Sequence, residues 1–496
     1  MRKALLGLCG GAAVLAVAAA AFGPARAAEP CDRLRDLALP DVRIAAAEEI
    51  AAPVPHCKAT GVIGREINFA VWLPDVWNGK FMMGGGGGYV GSVQNQANIQ
   101  GALLKGYATA GTDTGHTSTG VDASWALGNL ERIVNYAHAA VHRVGETAKA
   151  VARAHYGKPA SRAYFAGCST GGRQALISAQ RYPEDFDAII AGAPVLDFTG
   201  TMAGAINFTK TLYPHPDKAA GPALSPGDRA ALKAAILNAC DAEDGLADGI
   251  LNDPRACRFD PKALACSGAN RDGCLSAEEL AGVRAIYDGP RTSKGRLYYG
   301  YPMGGEDEPG GWDRWIVGSK DAVGPGLPSI GYGIAASFMR NFVFRDPNWT
   351  YETYDLETFA ADTELMAATL NATDTDLSAF RARGGKLLLY HGWSDSALTA
   401  NATVGYVEGV YARDPKARED VRLFLLPGVL HCMGGPGPDR VDFIEALERW
   451  DETGAAPDTL TASFRAGGGG RTLCAYPQKA AFQGGDPRDP ASFVCR

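Results

Sequence analysis

The chain has 496 residues, 46% of them hydrophobic and 21% charged, and carries a net charge of −7 at pH 7. An acidic balance with no basic tract and no interleaving of basic and aromatic residues argues against a nucleic-acid partner. The length exceeds that of a usual single domain, so a core domain with a large insertion, or two domains, is expected.

The N-terminus reads Met1-Arg2-Lys3, an alanine-rich apolar stretch, then Ala25-Arg26-Ala27 before Glu29. Basic start, apolar middle and small-x-small site predict a signal peptide over 1–27 and a secreted or periplasmic protein. No later apolar run is long enough to span a bilayer. Losing Cys9 leaves an even set of ten cysteines for an oxidising compartment: Cys31, Cys57, Cys168, Cys240, Cys257, Cys266, Cys274, Cys432, Cys474 and Cys495.

From residue 60 to 198 apolar strand patterns alternate with helical ones: Glu66 to Leu73, Lys80 to Met83, a long helical pattern from about Leu130 to Tyr156, and Phe186 to Gly192. Such alternation predicts a mostly parallel sheet. Directly after the second strand comes Gly84-Gly85-Gly86-Gly87-Gly88-Tyr89, a run that is costly in backbone entropy and so requires a reason.

Residues 162–180 place Gly167-Cys168-Ser169-Thr170-Gly171 between a short apolar strand and an amphipathic helix. This Gly-x-Ser-x-Gly pattern in strand–turn–helix context predicts a nucleophile elbow with Ser169 exposed at its tip.

From about 199 to 380 the alternation breaks into loops, short helices and clustered Gly, Pro, Trp and Tyr, with four of the ten cysteines. An irregular, disulfide-rich segment following the nucleophile strand reads as a lid domain. Within it Asp241, Asp244 and Asp248 crowd into eight residues. The crowding reads either as a solvated acidic turn or as a site for a hard divalent cation such as Ca²⁺. Trp312, Trp315, Phe338, Arg340 and Phe342 offer aromatic faces and a cation, against ordinary packing as the simpler role of each.

Alternation resumes at Lys386, where an apolar strand runs into a turn ending at Asp395; residues 421–431 repeat the design with His431 at the tip. A serine needs a base and a group that orients the base, and the order Ser169, Asp395, His431 is that of α/β-hydrolases. The expected fold class is therefore α/β, an α/β-hydrolase core over 28–198 and 381–496 with the lid inserted between the nucleophile and acid strands. The glycine run then has its reason: Gly87, with Gly88 next, supplies one oxyanion donor and the Thr170 amide the other. His391, four residues before the acid on the same strand tip, is the pocket candidate for substrate binding.

A cysteine stands beside each of two triad candidates, Cys168 before Ser169 and Cys432 after His431. Bringing serine and base together carries their neighbours into disulfide range. Loop economy pairs 31 with 57, 240 with 257, 266 with 274 and 474 with 495, which leaves 168 and 432 for each other.

Together these residues resemble the tannase and feruloyl esterase family, whose mark is the Cys-Ser and His-Cys dipeptides with an intervening Asp. The resemblance extends to Thr112-Asp113-Thr114-Gly115-His116, Gly172-Arg173-Gln174, Gln180 to Asp187, and His391-Gly392-Trp393-Ser394-Asp395. It implies a structural Ca²⁺ in the lid held by Asp241, Asp244 and Asp248 with the carbonyls of Leu246 and Ile250. It also implies hydrolysis of small aromatic esters attached to plant polysaccharide or tannin, or of terephthalate monoesters. A serine peptidase and a non-catalytic carbohydrate-binding protein are the readings from other classes.

Overall fold

The computed structural model describes Met1 and residues 29–215, 222–267, 273–318 and 328–496. Apart from Met1, the expected signal peptide lies outside the described residues.

A nine-stranded sheet runs in the order β1-β2-β3-β5-β4-β6-β7-β8-β9. The strands are β1 Val42–Ile50, β2 His56–Ile63, β3 Ile67–Pro74, β4 Lys80–Gly84, β5 Ala108–Thr112, β6 Arg162–Cys168, β7 Ala188–Gly192, β8 Lys386–Gly392 and β9 Val421–Leu426. From β5 through β4, β6, β7, β8 and β9 every neighbour pair is parallel. β1, β2 and β3 instead form an antiparallel flank. The turns joining them are too short for the crossover that a parallel pair needs.

The parallel strands are apolar on both faces because helices cover both. Successive side chains of a strand point to opposite sides, and the core divides accordingly. Phe81, Met83, Phe165, Ile189, Leu387, Leu389 and Leu423 pack on one side with α1 (Ala140–Tyr156), α2 (Thr170–Arg181) and α7 (Ala400–Arg413). Met82, Tyr164, Ile190, Leu388, Tyr390 and Phe424 pack on the other with Ile444, Leu447 and Trp450 of α8 (Phe443–Thr453).

The helical pattern expected from about Leu130 is present, but a π turn over Asn135–Ala139 separates Leu130–Val134 from α1. Such a turn frees carbonyls from the regular ladder. Those of Tyr136 and Ala137 accept from the fully buried Arg173 guanidinium at 3.1 and 2.9 Å.

Between β7 and β8 the described residues add no strand to this sheet. They form α3 (Phe198–Leu212), α4 (Pro226–Cys240), α5 (Ala277–Asp288), α6 (Ile330–Phe338), shorter helices and a small hairpin over 291–296. Ser225 with Asp228 and Ser276 with Glu279 form reciprocal capping boxes that start α4 and α5. The insertion buries its own core, including Phe198, Ile206, Leu232, Val283, Trp312, Phe338 and Phe342. That core is continuous with Tyr89, Trp125 and Tyr136 from the sheet-bearing part. Disulfides join Cys31 to Cys57, Cys168 to Cys432, Cys240 to Cys257, Cys266 to Cys274 and Cys474 to Cys495. Among the described residues no helix is long and apolar enough to cross a membrane.

Candidate active site

β6 ends at Cys168 and α2 begins at Thr170, so Ser169 makes the strand-to-helix turn alone. Its backbone sits at φ 64° and ψ −123°, a region costing a non-glycine residue about 1–3 kcal/mol. The surroundings enforce it: the Ser169 N–H donates to Gly192 O at 3.0 Å, and its carbonyl accepts from Arg173 N at 3.0 Å and Val195 N at 3.3 Å. The flanking glycines are sterically required. A Cβ on Gly167 would stand 2.6 Å from the Gly171 backbone, and one on Gly171 would stand 2.2 Å from Gln96 Oε1. Gln96 also clamps the residue before the serine, accepting from Cys168 N at 2.8 Å and donating to Cys168 O at 3.2 Å. Nothing in the sequence pattern singles out Gln96, because its partner is a backbone unit 72 residues away.

Asp395 lies three residues beyond β8 and His431 five beyond β9. Because β8 and β9 are adjacent and parallel, their C-terminal ends carry both residues to one edge of the sheet. His431 Nδ1 is 2.8 Å from Asp395 Oδ2, while Asp395 Oδ1 accepts from Ala397 N at 2.8 Å and Leu398 N at 2.9 Å. Burial alone would raise the Asp395 pKa, but the charge and hydrogen bonds of His431 and His391 outweigh it and hold this carboxyl well below its usual range. The Cys168–Cys432 disulfide, with Cα atoms 6.1 Å apart, joins the residue before Ser169 to the residue after His431.

Ser169, Thr170 and His431 open onto one pocket with a mostly apolar wall formed by Tyr89, Phe198, Met202, Phe208, Tyr301, Trp315 and Ile334. The Trp315 ring meets the His431 ring edge-on at 5.2 Å between centroids. No lysine or arginine appears in this lining among the described residues. Gly88 also faces it, and its carbonyl accepts from Thr170 Oγ1 at 2.7 Å and Tyr136 OH at 3.1 Å. The buried His116 steadies the same loop, with Nε2 2.6 Å from Tyr89 O and its ring stacked on Trp125. Burial lowers the His116 pKa to about 4, so the imidazole is neutral at neutral pH.

Two of the expected assignments change. The Gly87 N–H is taken by Gln94 Oε1 at 2.8 Å, which leaves Gly88 rather than Gly87 beside Thr170 on the pocket. His391 is not a pocket residue: it is fully buried behind Asp395, with Nδ1 2.8 Å from Thr403 Oγ1 and Nε2 3.0 Å from Leu398 O. A strand-tip position predicted access, but the following turn folds back over the ring. Of the candidate aromatics and cation, only Trp315 lines the pocket; Trp312, Phe338 and Phe342 are core, and Arg340 Nε donates to Trp349 O.

In the acidic loop Asp241 accepts from Gly249 N, Asp244 from Leu246 N and Asn252 N, and Asp248 from Ile250 N. Arg471 forms an ion pair with Asp248. Among the described residues no group of three or more His, Cys, Asp or Glu side chains is gathered closely enough to hold a metal ion. The donors are nonetheless all oxygen, the chemistry a hard cation requires. Asp244 is half-buried, and burial together with the neighbouring Asp241 raises its pKa.

The model of the family described as tannase and feruloyl esterase matches residues 53–496. The chain is 34% identical to an uncharacterized esterase of Xanthomonas campestris pv. campestris, over 97% of this chain and 93% of that protein. It is 33% identical to the mono(2-hydroxyethyl) terephthalate hydrolase of Piscinibacter sakaiensis, over 90% and 85% respectively. The crystal structure of an esterase from Aspergillus oryzae superposes with a TM-score of 0.85 at 26% identity, covering 94% of this chain and 99% of that one.

Proposed function

The chain belongs to the tannase and feruloyl esterase family of carboxylic ester hydrolases, and from that premise we propose that it cleaves esters of uncharged aromatic acids through an acyl-enzyme on Ser169. The observation that carries this reading is the His431 Nδ1 to Asp395 Oδ2 contact of 2.8 Å at the edge of a largely apolar pocket that Ser169 also lines. With Nδ1–H committed to an ionised carboxylate, Nε2 is the nitrogen with the free lone pair. It takes the Ser169 proton as the hydroxyl attacks the ester carbonyl, then returns it to the departing alcohol. Water repeats the sequence and releases the acid. The amides of Thr170 and Gly88 serve the developing oxyanion.

Residues 199–380 act as a lid in this reading, between core segments 28–198 and 381–496. Met202, Phe208, Trp315 and Ile334 bring that segment onto the pocket wall beside Phe198 and suit an aromatic ring. A terephthalate monoester, the substrate class named for one relative, carries a second carboxylate that needs a countercharge in an apolar site. The cation-free described lining favours a neutral acyl group. Ca²⁺, held by Asp241, Asp244 and Asp248 with the carbonyls of Leu246 and Ile250, would add to the positive charge that Arg471 brings to the acidic loop and stiffen the lid. The five disulfides suit an oxidising compartment, and cleavage after residue 27 would deliver the protein there.

The test is a substrate panel of methyl ferulate, methyl gallate, mono(2-hydroxyethyl) terephthalate and a peptide amide, each against Ser169→Ala. Turnover of the first two in preference to the third, lost in the variant, is expected. Preference for the terephthalate monoester would overturn the neutral-acid reading, and turnover of the amide alone would make the enzyme a peptidase.

A further inference from the structure

His391, the last residue but one of β8, is fully buried, and the acyl-transfer steps above do not use it. Nε2 has two neighbours, Leu398 O at 3.0 Å and Asp395 Oδ2 at 3.2 Å. A carbonyl and an ionised carboxylate only accept, so Nε2 carries a proton. Nδ1 then meets the Thr403 hydroxyl at 2.8 Å, from the first turn of α7. Asp395 Oδ2 therefore has two imidazole N–H groups beside it, that of His431 at 2.8 Å and, at 3.2 Å, that of His391, which is hydrogen-bonded to Leu398 O. Its other oxygen is fixed by two backbone amides.

We propose that His391 is a positioning residue for the esterase reaction, one that holds the Asp395 carboxylate in plane and draws on the charge of Oδ2, thereby setting the basicity of His431. The inference rests on the Ser169–His431–Asp395 reading and deepens it. A carboxylate oxygen that shares its charge between two donors stabilises the imidazolium of His431 less than one serving a single donor. Removing His391 therefore raises the pKa of the base and moves the acid limb of kcat/KM to higher pH. The sign is the same whether His391 is neutral or cationic, since either form stabilises the ionised carboxylate. Burial pushes the Tyr298 and Tyr301 phenols up, and Arg255, over the neighbouring Trp393 ring, is paired with Asp253.

His391→Leu keeps much of the volume and removes the donor, whereas His391→Gln restores an N–H of similar reach and an acceptor for Thr403. On an aromatic ester, the Leu variant is expected to lose roughly 10- to 100-fold in kcat with KM little changed, and its acid limb to rise by on the order of one pH unit. The Gln variant should recover most of both. Thr403→Val, which frees Nδ1 from its partner, should move the limb in the same direction by less. A folded Leu variant with wild-type kcat and pH profile overturns the proposal, as does a Gln variant no better than Leu. If the Leu variant does not fold, His391→Gln and Thr403→Val decide: a Gln limb at the Leu-predicted position, or an unmoved Thr403→Val limb, counts against it. Wild-type turnover by Ser169→Ala would instead refute the underlying triad.

Discussion

Removing the Cys168–Cys432 bridge with Cys168→Ala/Cys432→Ala separates two effects of one covalent link. The bridge closes 264 residues of chain, which in the chain-entropy treatment amounts to about 5–6 kcal/mol of unfolded-state constraint, with measured bridges delivering about 2–5. The nested Cys240–Cys257 and Cys266–Cys274 loops are short, 17 and 8 residues in separation, and reduce that figure little. Locally the link joins two strained turns, because Ser169 and Cys432 both hold φ at 64°. A serine and base that drift by about 1 Å lose roughly 100-fold in rate. The double variant should therefore show a lowered urea midpoint and, at temperatures where it remains fully folded, a kcat reduced by about two orders of magnitude. Denaturation curves and initial rates on methyl ferulate read the two separately. A folded double variant with kcat within about twofold of wild type would show that packing alone fixes the site.

Ser169→Ala and His431→Ala should each remove esterase turnover by several orders of magnitude, Ser169→Ala with the melting temperature nearly unchanged. Wild-type rates in either would reject the mechanism. Because the Asp395 carboxyl is held far below the usual range, it stays ionised across the assay range, so the acidic loss of kcat/KM should follow a single proton taken up by the base. Chelation should lower the melting temperature of the wild-type protein, since an ion bound only to the folded state stabilises it. Asp244→Ala should abolish the difference between chelated and Ca²⁺-loaded samples; identical wild-type melting curves would leave the loop a solvated turn held by Arg471.

Those elements whose signal is local were legible in the sequence: the elbow, whose glycines are fixed by the tightness of one turn, and the parallel sheet, announced by apolar strands between helices. Asp395 and His431 were legible for a related reason, since each ends an apolar strand pattern and adjacent parallel strands bring such ends together. The π turn before α1 and the role of Gln96 were not, because each depends on a partner far along the chain.

What the sequence by itself determined is the set of chemical groups and the strands that present them, because strand period, turn geometry and residue chemistry act over a few residues. The tertiary structure decided where those groups face. It buried His391 behind the acid, engaged the Gly87 amide with Gln94, kept Trp315 on the pocket while sending Trp312, Phe338 and Phe342 into the core, and brought Arg471 against the acidic loop. Each outcome depends on which distant segment closes over a residue, and a pattern of neighbours along the chain does not encode that.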